Sequence, residues 1–322
     1  MKRKLYRRPL YFLFRGLAFI LSLLSISVGY RIADGLGVAA FGLLGRERRK
    51  TLTHLEIAFG KEKSQKEIRK IGRGVFQNLA RNLIELIHFP KIHASNIDQF
   101  VTLRGREKLD AVLKKGKGAV LLISHLGNWE LLVATLHLKG YGGKIAARRL
   151  RDENFDRLIN RLRREKGMEC EKGMEVVYRG ESPRKLLQSL RENQFLGILA
   201  DQDVESVSGV FVDFFGKPAY TPIAPVQFAM AAHCPIIPCF IIRENGHHTL
   251  TVEDPIEMVK TGDKQKDLVD NTRRWSALTE SYIRRYPDQW VWMHRRWKTQ
   301  EATSNKEQAT GGTTNNQIPN TK

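Results

Sequence analysis

The sequence predicts an α/β protein with a mostly parallel central sheet covered by helices on both faces, preceded by an amino-terminal membrane-anchoring helix. Three observations predict it. Short apolar runs bounded by Gly, Pro or Lys, such as Gly118–Ser124 and Phe195–Ala200, alternate with stretches of helical periodicity. That is the pattern of buried parallel strands joined by helical crossovers. Hydrophobic residues make up 42% of the 322, enough for a sizeable core. Finally, Gly16 to Tyr30 carries no charge and follows five cations in residues 2–8.

That amino end reads as a membrane anchor over residues 1–45. Extended back to Pro9, the first apolar stretch has about the roughly 20 residues a span requires. Arg15 interrupts it near the cationic end, where a long side chain can snorkel to headgroups. A second stretch, Ile32 to Gly45, is broken only by Asp34 and leads into Arg46, Arg48, Arg49 and Lys50. A cleaved signal peptide fits less well, because no small-x-small site precedes a polar start.

From residue 46 to 300 the texture is that of one α/β domain. Ile68–Phe89 shows a helical stripe through Ile71, Val75, Leu79 and Leu83, with cations opposite. Gly118–Ser124 reads as a buried strand, followed by a helix from Asn128 to Lys139. A strand near Lys144–Ala147 and helices near Asp152–Lys166 and Pro183–Glu192 come next, then the strand Phe195–Ala200. Thr221-Pro222 looks like an N-cap followed by proline at the first helical position, opening a helix to Ala232. Pro235–Ile242 and Thr249–Val252 read as strands, and Asp267–Arg285 as a last amphipathic helix. Residues 301–322 lack aromatics and periodicity and read as a disordered tail.

Composition narrows the function. With 54 Lys and Arg against 34 Asp and Glu, the formal net charge is +20, which calls for a polyanionic partner. Three cysteines without a C-x-x-C pair argue against a disulfide framework and a structural zinc site. No metal or cofactor is expected.

The candidate chemistry gathers after the first buried strand, at Ser124-His125-Leu126-Gly127-Asn128-Trp129-Glu130. On one continuous helix, five residues turn about 500° and leave His125 and Glu130 about 140° apart. They meet only if His125 sits in the turn before the helix and Glu130 in its first turn. Gly127 permits the turn and Asn128 is a good N-cap. A carboxylate on one imidazole nitrogen makes the other a better base. The plainer reading leaves Glu130 complementing the helix dipole and His125 as a loop histidine. Ser124 neighbours His125, but adjacent strand residues point to opposite faces, which argues against a Ser–His dyad.

This string resembles the glycerolipid acyltransferase superfamily, and in its length looks like the bacterial lipid A late acyltransferase branch. Further blocks agree in order: Ala147-Arg148-Arg149-Leu150 with Arg157–Arg163, then Gly197–Asp203 with Val210–Ala219, Cys234–Pro238, and Tyr286–Lys298. The resemblance implies catalytic His125 and Glu130, with substrate contacts at Asn128, Arg148, Arg163, Asp201, Gln202 and Asp203. It implies transfer of a fatty acyl chain from acyl carrier protein to a hydroxyl of an anionic glycolipid, a lipid A precursor. It further implies an enzyme on the inner membrane, with the site facing the cytoplasm. His125 would take the hydroxyl proton and Glu130 would orient it, with no enzyme nucleophile.

Other readings compete. Asp201-Gln202-Asp203 also matches the Asp-x-Asp of metal-dependent glycosyltransferases, but no nucleotide-binding glycine loop accompanies it. A membrane-tethered nucleic-acid binder would interleave aromatics with Arg on an exposed sheet, and that pattern is missing, so no nucleic acid partner is expected. A non-catalytic lipid-binding scaffold, or an acyltransferase of a phosphatidylinositol mannoside or lysophospholipid, fits the same blocks.

Overall fold

A computed structural model describes residues 7–148, 156, 174–178 and 181–301. Nine strands are present among them: β1 (Val101–Arg104), β2 (Ala119–Ile123), β3 (Gly143–Ala147), β4 (Met174–Tyr178), β5 (Phe195–Leu199), β6 (Gly209–Phe214), β7 (Lys217–Pro222), β8 (Ile236–Glu244) and β9 (His247–Val252). Seven form one sheet in the order β1-β9-β8-β2-β5-β3-β4, and β6 and β7 form a separate antiparallel hairpin. Every neighbouring pair in the large sheet is parallel except β8 and β9. The mostly parallel sheet is therefore as expected.

The central strand β2 is buried at all five positions, which explains its unbroken apolar run. Alternate residues feed opposite faces: Leu121 and Ile123 pack with Leu131 and Leu132, while Val120 and Leu122 pack with Leu187 and Val226. The covering helices from the middle of the chain are α5 (Arg106–Lys114), α6 (Trp129–Leu138), α7 (Pro183–Arg191), α8 (Ala224–Ala232) and α9 (Lys264–Arg285). They follow the amino-terminal α1 (Arg7–Leu23), α2 (Ile26–Leu43), α3 (Gly45–Phe59) and α4 (Gln65–His88). A capping box fixes the start of α4, with Ser64 and Glu67 each bonding the other's backbone.

Several expectations need correction or extension. Thr221 and Pro222 open no helix; they end β7, with Thr221 paired to Val210. The Thr221 hydroxyl donates to Ala219 O at 2.9 Å and accepts from Arg296, so it is committed elsewhere than a cap. The helix α8 starts at Ala224, with Pro225 in its first turn. Strands β1, β4, β6 and β7 and helices α3 and α5 were not among the expected elements. The helix expected over residues 152–166 and the tail beyond Glu301 lie outside the described residues, apart from Asp156.

Among the described residues, no helix is long and apolar enough to cross a membrane. The apolar amino end folds as two helices, parted at Leu24–Ser25, where Ser25 caps α2. The second of these lies against α4 through a stripe of Gly29, Ala33, Gly37 and Phe41. A Cβ at Gly37 would stand 2.5 Å from the Gln77 backbone, so glycine sets the close approach there. Asp34, the break in the second apolar stretch, accepts from Arg81 of α4 at 2.7 and 2.8 Å. Outside that contact, Leu17, Phe19, Ile20, Leu23, Leu36 and Leu43 are exposed.

Candidate active site

Strands β2 and β5 are parallel neighbours, with Ile123 opposite Leu199. Two residues beyond that pair, each chain leaves the sheet, at His125 and at Asp201. After β2 the chain moves outward to β3, and after β5 it returns to the other side at β8. The crevice where connections diverge is where open α/β sheets hold ligands.

There the two side chains meet. His125 Nδ1 lies 2.7 Å from Asp201 Oδ1, and the His125 backbone N–H donates to Asp201 Oδ2 at 2.8 Å. Trp290 Nε1 also donates to Asp201 Oδ2, at 2.7 Å. An ionised carboxylate only accepts, so Nδ1 carries a proton, and in the neutral ring Nε2 is then the nitrogen with the lone pair. Burial opposes the Asp201 charge, but the His125 ring and the hydrogen bonds from His125 and Trp290 outweigh it and hold the carboxyl at about 2.

The carboxylate on Nδ1 is that of Asp201; the sequence pointed to Glu130 for that place. Glu130 is half-buried in the first turn of α6, two residues past its N-cap. The neighbouring-strand register brings Asp201 to the imidazole; the local helix does not have to. Ser124 is buried and its Oγ has no hydrogen-bond partner among the described residues.

The turn holding His125 is tightly specified. Gly127 has φ of +63°, and a Cβ there would stand 1.9 Å from Ile241 O. Gly127 N donates to Gln289 O at 3.0 Å, and Val291 N donates to His125 O at 3.2 Å. The carboxyl-terminal segment therefore packs across the turn as a lid. Trp290 and Trp292 are fully buried in it, which places them in a core and not at a membrane interface.

Two more rings line the imidazole. Trp129 stands edge-on to it with centroids 5.0 Å apart, and the His294 ring lies 5.5 Å away. Burial, with the nearby His125, pushes His294 down to about 4, so it is neutral at physiological pH. Behind the site, Arg296 is fully buried, donates to Tyr220 O and Thr221 Oγ1 at 2.6 Å each, and lies 4.6 Å over the Phe214 ring. Burial pulls its guanidinium down to about 10, with Asp201 and Asp203 acting against that pull.

The remaining expected contacts divide. Arg148 follows β3 directly, is exposed, and stands at the same carboxyl edge of the sheet as His125. Gln202 is half-buried in the loop after β5. Asp203 accepts from Thr299 N and Oγ1 at 2.7 and 2.8 Å, so its oxygens secure the lid. Asn128 is buried, with Nδ2 donating to Glu85 at 2.6 Å and Oδ1 accepting from Leu131 N at 3.0 Å. With both ends of its amide committed, it supports the turn. Arg163 lies outside the described residues. Among the described residues, no cluster of side chains suits a metal ion.

Sequence reading missed Glu85, Arg243, Gln289 and the Trp290 donor. Each sits far along the chain from His125, and only an Arg inside an apolar strand, Arg243, gave any signal. A histidine hydrogen-bonded to a buried carboxylate at a parallel-sheet crevice is an arrangement suited to proton transfer. Residues 1–299 match the bacterial lipid A biosynthesis acyltransferase family, and the chain belongs to it.

Relatives span two groups. A phosphatidylinositol mannoside acyltransferase of Mycobacterium tuberculosis (strain CDC 1551 / Oshkosh) is 32% identical over 136 residues, 42% of this chain and 42% of the relative. The match thus spans less than half the length of that relative. A lipid A biosynthesis myristoyltransferase of Escherichia coli (strain K12) is 24% identical over 267 residues, 81% of this chain and 78% of the relative. The crystal structure of a 1-acyl-sn-glycerophosphate acyltransferase from Thermotoga maritima aligns over 78% of this chain and 98% of its own. It does so at 13% identity and a TM-score of 0.32.

Proposed function

We propose that the protein is a membrane-associated O-acyltransferase that moves a fatty acyl chain from acyl carrier protein to a hydroxyl of a lipid A precursor. The observation that carries this reading is the His125–Asp201 pair at the β2–β5 crevice, in a chain of this family. The acceptor oxygen attacks the thioester carbonyl while His125 Nε2 takes its proton, and Asp201 stabilises the imidazolium. The tetrahedral intermediate then collapses, the carbon–sulfur bond breaks, and the imidazolium returns the proton to the departing thiolate. The acceptor's own hydroxyl is the nucleophile, which fits the buried Ser124. Arg148 at the same sheet edge suits a phosphate or the developing oxyanion charge.

Membrane association rests on the exposed apolar residues of α1 and α2. Leu43 is 84% exposed and Phe19 65%, and exposed Arg46 and Arg49 follow on α3. Such a surface lies in a bilayer interface with its cations at anionic headgroups. The partners and the phosphate-bearing acceptor are all anionic, in keeping with the +20 charge. We place the site on the cytoplasmic side of the inner membrane, where acyl carrier protein delivers its thioester.

A second reading has its own support: the 32% identity to a phosphatidylinositol mannoside acyltransferase favours a different glycolipid acceptor. A screen of purified full-length protein against acyl carrier protein and coenzyme A donors, with both acceptors, decides between them by product mass. Transfer to the lipid A precursor supports the first reading. Transfer only to the mannoside supports the second, and no transfer to any acceptor contradicts both.

A further inference from the structure

Behind the His125 turn lies a buried polar network with no part in the proton transfer itself. Glu85 of α4 is 2% exposed, yet its carboxylate meets five donors. Tyr30 Oη, Arg243 Nε and His248 Nε2 lie 2.6, 2.8 and 2.9 Å from Oε1. Asn128 Nδ2 and Arg243 Nη2 lie 2.6 and 2.9 Å from Oε2. Burial opposes this charge, but His248 and Arg243 hold the carboxyl well below the usual range, so it stays ionised.

Replacing a buried ion pair with packed apolar side chains is often neutral or stabilising, so stability alone does not account for one. Its connections give the better account. Asn128 leads from Glu85 to the start of α6, three residues after His125. Arg243 donates to Asn82, whose Nδ2 donates to Gly127 O at 2.6 Å. The Arg243 backbone exchanges hydrogen bonds with the Gln289 side chain at 3.0 and 2.8 Å, and Gln289 precedes the Trp290 that holds Asp201. Both halves of the catalytic pair, the imidazole's turn and the carboxylate's donor, are therefore tied to the same buried ions. Tyr30 extends the network to α2, the helix that carries exposed Leu36 and Leu43.

We propose that the Glu85–Arg243 pair is the positioning centre for the His125 imidazole, and that the Tyr30 hydroxyl couples that centre to the amino-terminal helices. The proposal rests on the reading of His125 as the base. A displacement of about 1 Å at a reacting group can lower a rate about 100-fold, so a loosened turn shows in kcat before it shows in binding.

The test is steady-state acyl transfer by the full-length chain, with kcat normalised to folded protein, for Tyr30→Phe, Asn128→Ser, Asn128→Ala and a His125→Ala reference. Serine caps a helix about as well as asparagine but has no second group to reach Glu85. Asn128→Ser and Asn128→Ala are both expected to lower kcat by about 100-fold with KM for donor and acceptor unchanged. Tyr30→Phe, which removes one hydroxyl at constant ring volume, is expected to lower kcat at least about threefold. Rescue of kcat by Asn128→Ser would reduce Asn128 to a cap and overturn the proposal. So would wild-type kcat in Tyr30→Phe and Asn128→Ser alongside an inactive His125→Ala. An active His125→Ala would instead overturn the functional reading, and this proposal with it.

Discussion

At Asp201, two oxygens receive three donors: the His125 ring, the His125 backbone and the Trp290 indole. Exchanging this carboxylate for a carboxamide keeps the shape but puts an NH2 group where an acceptor is needed, which favours the wrong imidazole tautomer. Asp201→Asn is expected to lower kcat by about 100-fold or more with little change in KM. Wild-type turnover in Asp201→Asn with loss in Glu130→Gln would return the orienting role to Glu130. His294 supports a second prediction. Its depressed value means the unfolded chain binds a proton between about pH 6.5 and 4 that the folded chain refuses. Stability therefore falls as pH drops through that window, by up to about 1.4 kcal/mol per pH unit, and His294→Gln removes that part of the slope. Urea unfolding at several pH values reads it, and equal slopes in both proteins would count against it. His125 was legible as a residue because strand, glycine turn and cap surround it in sequence. Asp201 was legible only as a substrate contact, since nothing in the sequence states that β2 and β5 are neighbours.

Elements differ in how plainly the sequence announces them. The wholly buried β2 and the apolar β5 were evident as unbroken apolar runs and α4 from its periodic stripe, while the β6–β7 hairpin was hidden by Thr221-Pro222, whose hydroxyl serves Arg296 instead of a helix. The turn between β2 and α6 depends on Gly127 at φ +63°, against Ile241 O. Gly127→Ala adds a Cβ where none fits, with left-handed strain of about 1–2 kcal/mol before any displacement of β8. Loss of activity exceeding the loss of thermal stability is the expected outcome, measured by melting and turnover on one preparation. An active, normally stable Gly127→Ala would show that the turn is not held as described. The α2–α4 contact is governed the same way: Gly37→Leu would push the helices apart, because the Gln77 backbone already lies within reach of a Cβ.

Across the whole molecule, charge and exposed apolar surface act together. A chain of +20 with Leu43 and Leu44 exposed beside Arg46 and Arg49 should bind anionic vesicles and release them as salt rises. Co-sedimentation with phosphatidylglycerol and phosphatidylcholine vesicles measures this, and the Leu43→Asp, Leu44→Asp double variant should bind more weakly to both. Equal, salt-independent binding to neutral vesicles would contradict it. The apolar, cation-flanked character of the amino end was readable from its composition. How it folds was not: the stripe of small residues that seats α2 on α4 gains meaning only once α4 is in place.

The most direct test of the central claim is acyl transfer by His125→Ala, followed as product mass with acyl carrier protein donor and lipid A precursor. A rate at least about 1,000-fold below that of the wild type, in a protein that melts normally, is the predicted result. Turnover near the wild-type rate would show that this imidazole is not the base.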